Sequence, residues 1–416
     1  MNDAKKSKFA YELHQPQPPT VTFDRNANAA WDHGPGSCVQ EFAVGLRLDI
    51  SGRGDEAKLV WSDANSILAP YFINRGALVK AAAKTRAILT ELSTHYRTTQ
   101  DPDYIPFLSP LRAAGEELWN VLFYVTEGAE SSARQIQELL LEVQDRDSLT
   151  IFSDAGVHIP WNFVYRGDAT QNLTPDGTIA DFSDFWSAFF QISTRFTKTN
   201  LLTKKTRPRS TFKVLYALHK DNYTAACRHL PPVQKAYLDR LLSYEIGSAT
   251  NWPACREKWR RIEENDSILY LFGHSDGKMI KLDDSEDISS QLDAPRFLTT
   301  FKKRSDTRSA TICFVNGCHT AAGAFGESFL ALTSGPGFQG FIGTEAEVSN
   351  VFATTYGAEF MHRMCEEGKS VHQAMNELRT ELFPLSMLYS CFAHGEFKVE
   401  PPASGWSKVD AERRAA

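Results

Sequence analysis

Two short apolar runs, each ending beside a side chain able to do chemistry, constrain this chain more than any other feature. Ser267-Ile-Leu-Tyr-Leu-Phe272 runs into Gly273-His274-Ser275-Asp276-Gly277, and Ala310-Thr-Ile-Cys-Phe-Val315 runs into Asn316-Gly317-Cys318-His319. A continuous apolar run closed by polar residues and glycine is how a strand buried on both faces of a parallel sheet reads. In an open α/β sheet ligands bind at the carboxyl edge of the strands, so a histidine at one tip and a cysteine at another make a candidate Cys/His dyad. Cys318 follows His274 by 44 positions (318 minus 274), a span that fits one strand-helix-strand crossover and makes the tips near neighbours.

The residue types suit acyl transfer. Cysteine attacks as the thiolate, of which its ordinary pKa of about 8.5 leaves only a few per cent at neutral pH. A neighbouring histidine takes the proton on attack and later protonates a leaving amine. Gly317 leaves room for a substrate beside Cys318, whose own N–H is a natural oxyanion donor; a second donor is expected from the main chain near Ser275 or Asp276.

Bulk properties narrow the field. With 42% hydrophobic and 23% charged residues in 416, the chain reads as globular and long enough for two ordinary domains or one large one. A formal charge of -6 gives no reason to expect direct nucleic-acid binding or an anionic membrane. No apolar stretch approaches the roughly 18 residues of a membrane span. The cationic start Met1-Asn-Asp-Ala-Lys-Lys-Ser-Lys8 has no apolar stretch behind it, so it does not read as a secretory signal and a cytoplasmic location is the default expectation. Seven cysteines (Cys38, Cys227, Cys255, Cys313, Cys318, Cys365, Cys391) are scattered with no C-x-x-C pair, so neither a zinc site nor a disulfide framework is expected, and no cofactor. Cys313, inside an apolar run, reads as a core residue; Cys318, past the end of one and beside glycine, does not.

Periodicity divides the chain. Residues 1–20 read as a flexible, proline-bearing lead, and 21–148 as a mainly helical region with some strand: a strand over Phe42–Ile50, then helices over Asn74–Tyr96, Leu108–Tyr124 and Ser132–Val143. Polar Gln144–Ser148 is taken as a boundary. From 149 to 400 strands alternate with helices: strands at Leu149–Phe152, Thr211–Leu218, Ser267–Phe272, Ala310–Val315, Phe338–Ile342 and Ser390–His394; helices starting at Ile159, Leu230 and Pro253 and spanning 288–301, 324–332, 351–366 and 371–382. That pattern predicts an α/β fold with a mostly parallel sheet flanked by helices on both faces. Residues 401–416 read as a loose tail.

The stretches Leu271-Phe-Gly-His274-Ser-Asp-Gly and Phe314-Val-Asn-Gly-Cys318-His-Thr-Ala resemble the histidine and cysteine boxes of the CHAT family, caspase-like cysteine peptidases of clan CD. Supporting segments run in that family's order. Ile159-Pro-Trp-Asn-Phe-Val is similar to its proline-tryptophan-glutamate helix, Phe338-Gln-Gly-Phe-Ile-Gly-Thr344 to its glycine-threonine segment, Glu367–Ala374 to its glycine-serine-valine helix entry, and Cys391-Phe-Ala-His-Gly395 to its closing strand. The chain departs from the pattern at Ser275, where glycine commonly follows the histidine, at Asn162, where glutamate is usual, and at Ala346, where tryptophan is often found.

The resemblance covers residues 149–400 and implies a caspase-like sheet, His274 as base and acid, Cys318 as nucleophile, and an oxyanion hole from Ser275, Gly317 and Cys318. It also implies a dedicated protein substrate, and an activating or recruiting protein partner engaged through residues 21–148, in a bacterial defence or signalling setting. The loop after the first strand helps line the specificity pocket in caspase-like folds; if Asp154 faces it, with Glu345 nearby, a basic residue before the scissile bond is favoured. A solvated-loop role for both acids stays open. So do two other functions: a caspase-like binding module without turnover, and a hydrolase or transferase acting on a non-peptide acyl group.

Overall fold

Strand burial in the first third of the chain follows the period of two that a half-exposed sheet demands. In Glu56–Ser62 the side chains of Ala57, Leu59 and Trp61 are buried and their neighbours are not. The structure, a computed structural model, describes residues 45–63, 66–68, 70–98, 105–123, 130–142, 147–153, 158–169, 183–196, 206–242, 245–284, 291–301, 309–322, 328–334 and 338–403. Asp154 lies outside them.

Strands β1 (Leu46–Arg53), β2 (Glu56–Ser62) and β3 (Tyr71–Asn74) form an antiparallel meander, with Gly54 turning the first hairpin at a φ of 63°. Helices α1 (Arg75–Thr98), α2 (Ile105–Phe123) and α3 (Glu130–Glu142) follow, close to their expected positions. The chain then returns as β4 (Asp147–Ser153), α4 (Trp186–Phe189) and β5 (Phe190–Arg195), and the sheet order is β3-β2-β1-β4-β5, with β4 parallel to both β1 and β5. The boundary placed at residue 148 therefore falls within a strand of this sheet. Trp186 anchors the core beneath it, packed edge-on to Trp61 and Trp119 and stacked on Trp161.

Ile159 does not start a helix. Only one 3-10 turn forms, at Trp161–Phe163, and all three of its side chains are buried. An amphipathic helix needs an exposed face, and this segment has none. Buried Asn162 takes the place of an anchor: its amide nitrogen donates to the carbonyls of Met387 and Tyr389, and its oxygen accepts from Arg379.

A second, six-stranded sheet fills the remainder. Its elements are β7 (Lys213–Leu218), α5 (Lys220–Cys227), α6 (Pro232–Leu242), β8 (Glu245–Ala249), α7 (Trp252–Arg260), β9 (Ser267–Phe272), a small three-stranded sheet of β10 (His274–Ser275), β11 (Met279–Lys281) and β12 (Gln291–Asp293), α8 (Ala294–Thr300), β13 (Thr311–Asn316), β14 (Phe338–Thr344), α9 (Asn350–Cys365), α10 (Val371–Glu381) and β15 (Tyr389–Cys391). A two-stranded ribbon of β6 (Thr206–Arg207) and β16 (Lys398–Val399) closes the margin. The large sheet runs β15-β14-β13-β9-β7-β8, parallel throughout except for β15. Within the span 288–301 expected to be helical, β12 precedes α8, and of the span 324–332 the described residues show a 3-10 turn at Phe329–Ser334.

Every residue of β9 and β13 is buried. Ile268, Tyr270 and Phe272 face one apolar cluster with α9, while Leu269 and Leu271 face another with α7 and α8. Each such apolar side chain contributes about 1.5–3 kcal/mol by leaving water, which makes these two strands a firm platform. The two large sheets meet at their edges, where Ser193 Oγ of β5 donates to the carbonyl of Ala393 at 3.2 Å and lies 2.7 Å from His372 Nε2. Among the described residues no helix is long and apolar enough to cross a membrane.

Candidate active site

The sheet register brings the two tips together. β9 and β13 pair residue for residue from Ser267 with Thr311 to Phe272 with Asn316, so two further steps along each strand reach His274 and Cys318. Neighbouring strands lie about 4.8 Å apart. The tips touch: a side chain on Gly317 would sit 2.7 Å from the Gly273 carbonyl oxygen and 3.1 Å from Ser275 Cβ. The space expected beside Gly317 for a substrate is thus taken by the histidine loop, and glycine stands there because the two tips pack backbone to backbone.

His274 opens a tight hairpin in which it pairs with Lys281, and Ser275 with Ile280. Ser275 Oγ accepts the Gly277 N–H at 3.1 Å, Asp276 Oδ1 accepts those of Lys278 and Met279 at 2.9 Å, and Gly277 turns the chain at a φ of 87°. His219, just past β7, and Asn222 in the first turn of α5 hold the imidazole. Asn222 Nδ2 lies 2.6 Å from His274 Nε2, and in that orientation the amide donates and leaves the ring proton on Nδ1. The His219 ring meets the His274 ring edge-on at 4.9 Å. Asp284 Oδ1 is 3.1 Å from His219 Nε2 and 3.8 Å from His274 Nε2. Partial burial and the His219 charge lower the His274 pKa below the ordinary histidine value, with Asp284 pulling against them. The ring is therefore neutral at neutral pH, as a base has to be.

Asn222 and His219 were not picked out by sequence reasoning. His219 follows β7 directly and caps α5, while Asn222 lies 52 positions from His274; neither carries a local signal, and only the pairing of β7 with β9 brings them to the site.

Cys318 is held more elaborately. Two residues before it, buried Asn316 donates to the Tyr270 hydroxyl at 2.8 Å and the Ala353 carbonyl at 2.7 Å, and accepts from the Tyr389 hydroxyl at 2.7 Å. Thr344 Oγ1 donates to the Gly317 carbonyl, and the His319 N–H donates to the Ala346 carbonyl at 3.1 Å. His319 has a φ of 56°, an uncommon conformation for a residue with a side chain, which reverses the chain just after the cysteine. The Cys318 thiol is partly exposed and donates to the Val348 carbonyl at 3.7 Å. Cys313, within β13, is fully buried, and burial pushes its thiol well above the ordinary range.

Glu345 does not face a pocket. It is fully buried: Oε2 lies 3.1 Å from the Arg86 guanidinium of α1, Oε1 accepts from Ser390 Oγ at 2.6 Å, and His158 lies 3.2 Å away. Burial alone would push this carboxyl up, but His158, Arg86 and Ser390 together hold it well below the usual carboxylate range. Burial keeps His158 neutral, so Arg86 is the compensating charge. Sequence reasoning placed an acid here without seeing its partner, because Arg86 lies 259 positions away.

His274 and two groups near it have metal-ligand chemistry. The ligating atoms of His219, His274 and Asp284 all lie within 4.8 Å of one another.

No family model matches the chain, and no curated protein matches it. Among solved structures the chain is similar to a chain of the Saccharomyces cerevisiae separase-securin complex, with a TM-score of 0.46 and 9% sequence identity over 85% of this chain. The chain spans 30% of the length of that neighbour.

Proposed function

We propose that the protein is a caspase-like cysteine endopeptidase in which His274 and Cys318 form the catalytic dyad. The observation that carries this reading is the unbroken parallel register of β9 and β13, which ends with a neutral histidine and an accessible thiol at equivalent positions on adjacent strand tips. The order of CHAT-like segments from Ile159 to Gly395 supports the same reading.

Chemically, the thiol turns from the Val348 carbonyl toward His274 and gives up its proton. The thiolate attacks the scissile carbonyl, and the resulting oxyanion is met by main-chain N–H groups at Cys318 and at the Gly317 and Ser275 turns. Collapse expels the amine, which takes its proton from His274. Water, activated by the same ring, then hydrolyses the thioester and restores the thiol.

The substrate in this reading is a dedicated protein in a bacterial defence or signalling system, cleaved in the cytoplasm, and the N-terminal region recruits an activating partner. A cleft of about 600 Å³ lined by Asn74, Ala77, Glu117, Val121 and Phe123 offers that region a place for a partner segment. Preference for a basic residue at the cleavage point rests on Asp154 alone, since Arg86 occupies Glu345. A peptide library decides it: preference for aspartate or a large apolar residue would remove that pocket.

A caspase-like binding module without turnover is the second reading, favoured by the thiol's hydrogen bond to the Val348 carbonyl. Labelling with a peptide-based electrophile separates the two. The wild type is expected to be modified at Cys318 and the His274→Ala protein to resist; equal, slow labelling of both would favour the binding module.

A further inference from the structure

We propose that His219, His274 and Asp284 form a binding site for a divalent transition-metal cation of the zinc class, and that its occupancy switches off the base. The inhibitory half rests on the reading of His274 as the base; the binding half rests on geometry alone.

Two atoms bound to one zinc ion at about 2.0–2.1 Å and a tetrahedral angle lie roughly 3.3 Å apart. The separations from Asp284 Oδ1 to His219 Nε2, 3.1 Å, and to His274 Nε2, 3.8 Å, bracket that spacing. The whole set lies within 4.8 Å, so small side-chain rotations close it. Two imidazoles and a carboxylate, with a fourth position left for water, are a donor set that zinc-class ions accept.

The fold prepares the site. His219 is fully buried and sits where β7 ends, its backbone N–H donating to the Phe272 carbonyl at 2.7 Å. Its Nε2 is therefore aimed outward at Asp284 from a fixed base. His274, its side chain about half exposed, is free to turn toward the ion. Binding has two local costs. The Asn222 amide gives up its contact with His274 Nε2. His219, metallated at Nε2, carries its proton on Nδ1 and stops accepting the Asn222 N–H, a contact already 3.5 Å long. The first turn of α5 keeps its backbone bond from Tyr223 to His219.

The consequence for the dyad does not depend on which ring nitrogen faces Cys318. With the ion on Nε2 the remaining proton sits on Nδ1, and the ring has no lone pair left to accept the thiol proton. The same ion at the strand edge also stands where a substrate would enter.

The test uses the full-length protein, stripped with a chelator and titrated with Zn²⁺ by calorimetry, with Co²⁺ as a spectroscopic probe of tetrahedral coordination. One equivalent is expected to bind the wild type. Asp284→Ala and His219→Asn, the latter keeping a capping side chain for α5, are each expected to weaken it at least about tenfold, since even second-shell losses cost that much. Binding unchanged in both variants, or no binding to the wild type, would overturn the site. In parallel, with each protein referred to its own metal-free rate, the Zn²⁺ concentration that halves hydrolysis of a peptide library is expected to be at least about tenfold lower for the wild type than for Asp284→Ala. A binding isotherm that behaves as expected, without hydrolysis at any metal concentration, would uphold the site and overturn the peptidase reading; hydrolysis whose response to Zn²⁺ is the same in Asp284→Ala would overturn the switch.

Discussion

The two strand tips are built in opposite ways. The cysteine tip is enclosed: Asn316 makes three hydrogen bonds to three different elements, Thr344 and Ala346 grip the residues on either side of Cys318, and Glu345 between them is locked to Arg86 of the N-terminal helices. The histidine tip is a short hairpin, half exposed, steadied by one amide and the edge of one ring. On the proposed peptidase reading, the enclosed tip positions the nucleophile and the half-exposed tip carries the base. Through Glu345, Arg86 of α1 contacts the segment that holds the cysteine loop.

The comparison breaks most sharply if either tip is dispensable. Replacing Cys318 with Ala, or His274 with Ala, is expected to lower kcat/KM by on the order of 10⁴-fold or more, with unfolding midpoints close to wild type; cleavage assays with circular dichroism controls check both. Retained turnover in either would end the dyad. Next comes the enclosure of the cysteine tip. Arg86→Met leaves the Glu345 carboxylate buried without a countercharge and is expected to cost about 3–5 kcal/mol in urea unfolding, along with activity. The double change Arg86→Met with Glu345→Gln is expected to recover part of the loss, and a lack of recovery would mean the pair is not coupled.

Acid sensitivity is built in away from both tips. Burial, reinforced by Arg379 and His394, lowers the pKa of His372 at the sheet junction to about 3. The unfolded chain takes up a proton near pH 6.5 that the folded chain refuses, so this contribution is complete above pH 6.5 and is lost as the pH falls toward about 3. The slope is at most about 1.4 kcal/mol per pH unit, and His372→Gln should flatten it in denaturant titrations run across that window. The smallest effect belongs to the histidine tip: Asn222→Ala removes one partner of an exposed ring, so about 1 kcal/mol in kcat/KM is expected, with stability changed by less than about 0.5 kcal/mol. A loss as large as that from Arg86→Met would erase the difference between the tips.

Much of the site was legible before any coordinates because its elements are local. β9 and β13 are continuous apolar runs, and α9 and α10 are preceded by Ser349 and Ser370, each of which caps its helix with its hydroxyl. Other readings failed where a long-range partner decided the outcome. Ile159–Tyr165 carries a proline at a helix-start position, yet its turn is buried on all sides and held by residues more than 200 positions away. Leu149–Phe152 is a strand as expected, but it hydrogen bonds to β1 rather than to the sheet of the dyad, and nothing in its apolar pattern distinguishes the two partners.

Composition and periodicity, then, fixed where the apolar strands lie and which reactive residues stand at their ends, because burial on two faces leaves a pattern readable within a dozen residues. Tertiary structure alone decided what surrounds those ends. Asn222, His219 and Asp284 around the imidazole, and Arg86 on the carboxylate beside the cysteine loop, are polar contacts that depend on strand order and on helices packed from far away in the chain. Hydrogen bonds and ion pairs are short-ranged and directional, so they exist only once the fold has brought their partners together. Gly317 shows the difference in one residue: the sequence marked it as special, and the packing of two strand tips revealed why.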